Sequence, residues 1–230
     1  MGHHSWFDLF LHDSHHYIHV VMAGVTFTFL AIFSLAAVGS LRKRADARIP
    51  DEKFTMANVA ELAVGGLANL CDDIIGHDGR KYMWLMAPTF LYIFVANMLG
   101  VIPGFLPPTD NINTNLAVSG VIFIGYNVYG IKENGLAGYL KHMMGPVIFI
   151  APLFFVIELV SHLVRPASLA IRLYGNIFGD HLVIAIFSDL VKLVVPAVFL
   201  GVGTFVSFIQ ALVFTLLSMV YIALATAHDH

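Results

Sequence analysis

Long apolar runs constrain this chain more than any other feature. Five segments are apolar over about 17 residues or more, the length that a helix needs to cross a membrane. The chain as a whole is 58% apolar and 12% charged, whereas soluble domains are about 45–50% apolar and about 25% charged. The runs are too long for the strands of a membrane barrel, so we expect an all-α integral membrane protein. The net charge of −3 gives no indication of nucleic-acid binding.

We predict about five transmembrane helices and one amphipathic helix at the membrane interface. The interfacial helix carries Glu61, Asp72 and Asp73 among small apolar residues, a composition typical of a helix that lies on a membrane surface. The predicted segments are an outside N-terminus at 1–16, a first span at 17–41, the interfacial helix at 55–76, and further spans at 82–102, 115–131, 146–190 and 194–226.

The last two predicted segments are longer than a perpendicular span requires. As one continuous helix, segment 146–190 would be about 68 Å long, against about 30 Å of hydrocarbon. Either two helices pair there or one long helix lies strongly tilted. Because 194–226 is also overlong, we expect a tilted hairpin of two helices packed around another object.

Charged loops predict the orientation of the chain. The loop 42–53 contains five Lys or Arg, which places it in the cytoplasm, the N-terminus outside and, after five crossings, the C-terminus in the cytoplasm. The segment PGFLPPTDNINTN is dense in Pro and Asn and predicts an outside loop. We expect Asn111, Asn113 and Asn115 to be turn residues of that loop.

Polar residues in segment 158–181 share one helical face. An ionised group at the centre of a membrane helix costs at least about 2.5–3.5 kcal/mol, yet at 100° per residue six polar residues fall within about 80° of one another. Intramembrane ionisable residues on one stripe commonly mark a path for ions or protons. The six are Glu158, His162, Arg165, Arg172, Asn176 and Asp180.

The segment LVRPASLAIRLYGNIFGDHL, followed by FIQALVFTLLSMVYIALA, resembles subunit a of the F-type ATP synthases. That subunit is the membrane stator part of a proton-driven rotary enzyme. The family core R-L-x-G-N is matched from Arg172 to Asn176, and Glu158 stands fourteen residues earlier, where the family has an acid. Gln210 and Tyr221 match the pattern of the last helix.

The resemblance implies a role for each polar residue. Arg172 would be the essential charge that faces the carboxylates of the c-ring. The outside half-channel would comprise Asn176, Asp180, His181 and Gln210, and the cytoplasmic half-channel Glu158, Ser161 and His162.

Structural roles are the alternative for these residues. Asn176, Asp180 and His181 could form hydrogen bonds between helices. Arg172 could form a salt bridge, although Glu158 and Asp180 lie about 21 and 12 Å away along one helix.

Two positions depart from the family pattern. The family often has Glu where His181 stands, and His or Glu where Gly203 stands. The ionisable pair that the family spreads over two helices is concentrated here at Asp180 and His181. A small residue at 203 could admit water or the ring of His181.

The implied protein is a non-catalytic, multi-pass subunit of the bacterial inner (plasma) membrane, without a cofactor. Its partners would be the c-ring, the subunit b peripheral stalk, the rest of the F1Fo complex and membrane lipid. The sequence has no G-x-x-x-x-G-K-[ST] motif, which argues against ATP binding by this chain. The rival functions are a secondary transporter or other ion-conducting membrane protein, and an intramembrane hydrolase.

The N-terminus is rich in histidine. Helical spacing of these side chains could present them to Zn²⁺, or the segment could simply be a polar terminus. The residues are His12, His15, His16 and His19.

Overall fold

The structure, a computed structural model, describes residues 18–42, 55–76, 78–102, 105–144, 151–187 and 194–226. Within these ranges the fold is made of α-helices and two 3₁₀ turns and contains no strand. The six helices are α1 (Ile18–Arg42), α2 (Met56–Ile75), α3 (Met83–Val101), α4 (Ile112–Met144), α5 (Ala151–Phe187) and α6 (Val194–Thr226). Single 3₁₀ turns, Gly79–Tyr82 and Pro108–Asp110, precede α3 and α4.

Five of the described helices are long and apolar enough to cross a membrane, namely α1, α3, α4, α5 and α6. This confirms the prediction of an all-α membrane protein with five spans. The remaining helix, α2, carries three acidic residues in its 20 positions. It packs against α1, α3 and α6.

The segment predicted as 146–190 contains one continuous helix of 37 residues, α5, so the alternative of two paired helices is wrong for the described residues. At 1.5 Å per residue α5 is about 56 Å long, well beyond the hydrocarbon thickness. Pro166 lies inside it. Proline cannot donate to the carbonyl of His162, four residues earlier. The hydroxyl of Tyr126 on α4 donates to that carbonyl instead, at 3.5 Å.

Helix α4 extends beyond the predicted span 115–131 and bends at Gly135, whose φ of 70° and ψ of 161° are not helical. A positive φ is accessible to glycine at little cost. The bend brings Tyr139 back onto Gly130. A β-carbon at position 130 would lie 2.6 Å from Cε2 of Tyr139 and 3.0 Å from the carbonyl oxygen of Ala225, so only glycine fits there.

The core lies where α3, α4, α5 and α6 meet. Aromatic rings join the helices: Phe208 of α6 packs edge-on against Phe90 and Phe94 of α3. Among the described residues of α5, the buried apolar side chains are Leu169, Ala170, Leu173 and Ile177, which recur at helical spacing. Other apolar side chains of α5, such as Leu163, Ile171 and Phe178, are exposed within the described part of the chain.

Candidate functional site

Arg172 lies beside the buried face of α5 and is exposed. Its neighbour Ile171 is 62% exposed. Among the described residues, no carboxylate lies within salt-bridge distance of the guanidinium. The structural alternative of a pair with Glu158 or Asp180 therefore does not occur. A permanent cation therefore stands on an exposed part of the helix, next to the exposed Ile171.

One helical turn after Arg172, α5 is joined to α6 by a polar contact. The side-chain amide of Asn176 donates a hydrogen bond to Oε1 of Gln210. Gln210 is only 5% exposed, and its Nε2 has no hydrogen-bond partner within the described part of the chain. A buried donor without a partner is costly, and a water molecule is the group that commonly satisfies it.

Asp180 and His181 line a small cavity near the C-terminal end of α5. The cavity has a volume of about 30 Å³, which is room for about two water molecules. Gly203 and Ser207 of α6 and Asn97 of α3 also line it. The glycine that departs from the family pattern thus lies on the same cavity as the two ionisable residues.

Asp110 also belongs to this end of the site, and sequence reasoning missed it. Its Oδ1 lies 4.0 Å from Nδ1 of His181, because the 3₁₀ turn Pro108–Asp110 packs against α5. The only signal in the sequence was that Asp110 is the single acid in a Pro- and Asn-rich loop.

Amides and hydroxyls hold that turn in place. Thr109 donates to Oδ1 of Asn97 at 2.9 Å, and Asn115 donates to the Thr109 carbonyl at 2.8 Å. Asn111 accepts from the backbone N–H of Asn113, as expected of a turn residue. The same expectation was wrong for Asn113 and Asn115, which both lie within α4. Asn115 is fully buried there.

A second polar group lies toward the N-terminal end of α5. Arg165 donates to Oε1 of Glu158 at 3.1 Å, directly rather than through water. The ring of His162 is buried between Glu158 and Tyr139, the latter on α4. Ser161 is half-buried and has no hydrogen bond among the described residues.

The two polar groups stand on opposite sides of Arg172. Glu158 precedes it by fourteen residues and Asp180 follows it by eight, which are about 21 and 12 Å of helix. Among the described residues, no hydrogen bond or ion pair joins either group to the arginine. The arrangement offers two separate polar ends and a fixed positive charge between them.

The described residues contain no group of three or more His, Cys, Asp or Glu that could hold a metal ion. Of the N-terminal histidines, only His19 falls within the described residues. The prediction for His12, His15 and His16 lies outside them.

These features define a polytopic helical membrane protein with ionisable groups along its longest described helix, α5, where α4 and α6 pack against it. Comparison with known proteins identifies the family within this class. The family model for the ATP synthase A chain matches residues 19–223, and the chain belongs to that family.

Several bacterial proteins named ATP synthase subunit a are similar over nearly their whole length. The protein of Bdellovibrio bacteriovorus is 46% identical over 98% of this chain and 99% of its own. Subunit a 1 of Pelobacter propionicus is 44% identical, covering 92% of this chain and 93% of its own. Subunit a of Geobacter sulfurreducens is 41% identical with the same coverage.

Proposed function

We propose that this chain is the non-catalytic stator subunit that carries protons to and from the c-ring of an F-type ATP synthase. Two offset half-channels would meet the ring on either side of Arg172, and proton flow through them would drive rotation and ATP synthesis. The observation that carries the proposal is the exposed position of Arg172 between two separated polar groups, with no carboxylate paired to it in the described ranges.

The chemistry of arginine supports the role of Arg172. A guanidinium keeps its proton under any working condition. Beside a passing carboxyl group it favours the ionised form and lowers the pKa of that acid by about 1–3 units. A carboxyl that arrives protonated therefore releases its proton before it passes. The same fixed charge repels a proton that would otherwise run straight through.

The outside half-channel comprises Asn176, Asp180, His181 and Gln210 in this proposal, and we add Asp110 to it. Water in the cavity beside Gly203 would link these groups, since two to four polar partners are what a buried water requires. Carboxylate and imidazole exchange protons readily near neutral pH. A cavity of about 30 Å³ is large enough to hold water.

The cytoplasmic half-channel comprises Glu158, Ser161 and His162. Its side of the membrane follows from the basic loop at 42–53, which is retained in the cytoplasm by the positive-inside rule. The N-terminus then lies outside the cell and the C-terminus in the cytoplasm. We place the subunit in a bacterial inner membrane, in contact with the c-ring and with the subunit b peripheral stalk.

Replacing Arg172 tests the proposal. In the assembled complex, Arg172→Ala should abolish ATP-driven proton pumping into membrane vesicles while ATP hydrolysis by the soluble head remains. Ile171→Ala is the matched control, because it removes an exposed apolar side chain next to the arginine. Pumping by Arg172→Ala at the rate of the control would refute the assignment.

A further inference from the structure

A buried polar cluster lies between α4 and α5, and several of its residues have no role in the proposed half-channel. We call it the His162 cluster and define it as Asn127, Tyr139, Glu158, His162 and Arg165. His162 is only 7% exposed, and each of its ring nitrogens faces a polar partner. The hydrogen atoms that these contacts require can be counted.

Asn127 has a fixed orientation. Its Nδ2 donates to the carbonyl of Phe123 at 2.7 Å, so its Oδ1 must face the other way, toward Tyr139. The Tyr139 hydroxyl lies 2.8 Å from that Oδ1 and donates to it. Burial raises the pKa of Tyr139, so the phenol keeps its single hydrogen at neutral pH. That hydrogen is committed to Asn127.

The Tyr139 oxygen can therefore only accept from His162. Nε2 of His162 lies 2.9 Å from it, and this contact requires a hydrogen on Nε2. On the other side of the ring, Nδ1 lies 3.2 Å from the backbone carbonyl of Glu158 and 3.2 Å from its Oε1. Both of those atoms are acceptors when the carboxylate is ionised.

Three contacts thus require three hydrogens: one on the Tyr139 hydroxyl, one on Nε2, and one between Nδ1 and Glu158. A neutral histidine and a tyrosine supply only two. With a neutral ring and an ionised carboxylate, every placement of the two hydrogens leaves one of the three contacts without a hydrogen, so that two lone pairs face each other at hydrogen-bond distance. One additional proton removes the conflict.

We propose that Glu158 and His162 together hold one exchangeable proton in the resting structure, and that Tyr139 and Asn127 are the positioning residues that keep it there. The count is the same whether the proton lies on the imidazole or on the carboxyl group. The pair is a proton-binding site rather than a structural salt bridge.

The surroundings of the ring are mixed in charge. On α5, Arg165 shares Oε1 of Glu158. From α4, the ring of Tyr126 lies 5.7 Å from that of His162. From α6, Tyr221 packs against the guanidinium of Arg165 at 5.4 Å. Arg165 opposes a second positive charge on the imidazole, whereas the carboxylate of Glu158 favours it.

The role of this site in proton transfer rests on the proposed function. On the cytoplasmic side, the pair would accept a proton released near Arg172 and pass it to the aqueous phase. A site that is already loaded releases one proton as it receives the next. The proton count itself depends only on the geometry of the cluster.

The protonation state can be read directly in the assembled complex in liposomes. Solid-state NMR of ¹⁵N-histidine-labelled complex, with His162→Gln to assign the signals, reports whether each ring nitrogen carries a hydrogen. Infrared difference spectra against Glu158→Gln report whether the carboxyl group is protonated. We expect at pH 7 either an imidazolium, or a neutral ring with the hydrogen on Nε2 beside a protonated Glu158. A neutral ring beside an ionised Glu158 would overturn the proposal.

Asn127→Ala tests the positioning residues without touching His162. Without its acceptor, the Tyr139 hydroxyl is free to donate to Nε2, and the ring is then satisfied as a neutral Nδ1–H tautomer. The affinity of the pair for its proton should fall by about tenfold or more, moving its titration midpoint about one pH unit or more toward acid. Asn134→Ala is the matched control, because Asn134 is also on α4 but donates to the Ala225 carbonyl.

Tyr139→Phe provides a second variant, since it also removes the need for a hydrogen on Nε2. It should give the same tautomer and the same acid shift in the pH profile of ATP-driven pumping. An unchanged tautomer and midpoint in both variants would overturn the assignment of Tyr139 and Asn127.

The two proposals fail separately. Pumping in Arg172→Ala tests the function, whereas the ring nitrogens of His162 test the proton count. Loss of pumping in Arg172→Ala with a neutral ring and an ionised Glu158 in the native complex would leave the function standing and remove this inference.

Discussion

Filling the cavity beside Gly203 should block proton entry through the outside half-channel. A β-carbon at position 203 would meet only Cγ2 of Val101, at 3.7 Å, which is ordinary van der Waals contact. Gly203→Ala should therefore be tolerated. Gly203→Leu adds three further carbons, which would occupy a cavity of about 30 Å³ and displace the two waters it can hold.

The size of the effect follows from the solvation of Asp180. A hydrogen bond to a charged group is worth about 1.5–3 kcal/mol. Loss of one water contact should therefore make an ionised Asp180 roughly 10- to 150-fold less populated, at about 1.4 kcal/mol per tenfold. Proton flux through that carboxylate should fall by a similar factor.

Passive proton flux through vesicles stripped of the soluble head measures this step. Gly201→Leu is the matched control: position 201 lies two residues away on α6, is exposed, and has no atom within 4 Å of its β-carbon position. Flux in Gly203→Leu equal to that in Gly201→Leu would refute the reasoning that water at Gly203 carries the proton.

Asp110→Asn should reduce the same passive flux by roughly fivefold, because a partly exposed pair such as Asp110 and His181 is worth about 1 kcal/mol; unchanged flux would remove Asp110 from the path. Met86→Ala should lower the free energy of unfolding by about 2–5 kcal/mol, since Met86 is fully buried. The thermal midpoint of the protein in detergent should therefore fall. Leu62→Ala, at an exposed position, should leave that midpoint nearly unchanged. Burial raises the pKa of the Cys71 thiol to about 11, so alkylation of Cys71 at pH 8 should be about 100-fold slower than that of an ordinary thiol and should increase up to about pH 11. A pH-independent rate would contradict the assigned pKa.

The helical membrane architecture could be predicted because apolar run length alone determines it. The continuity of α5 could not. Pro166 normally ends or kinks a helix. The carbonyl of His162 that it leaves free is met by Tyr126, which lies forty residues before the proline and comes near it only in the folded chain.

The site was predictable where one helix supplies the residues. Helical periodicity placed Arg172, Asn176 and Asp180 on one stripe, and family resemblance supplied Gln210. Periodicity could not predict which side chains of that stripe are exposed and which are buried, because the burial of each one depends on which other helices cover α5. Asp110 and Tyr139 were missed since they reach the site from a turn and from the far end of α4, through contacts between residues distant in sequence.

Two positions without side chains decide where the Tyr139 hydroxyl lies. Gly135 turns the backbone and Gly130 leaves the space that the phenol ring occupies. A single added methyl group at residue 130 would push the ring outward while leaving every titratable group of the His162 cluster in the sequence. A comparison of variants that considered only the titratable residues would therefore find none of them changed, and would miss a defect that is purely steric.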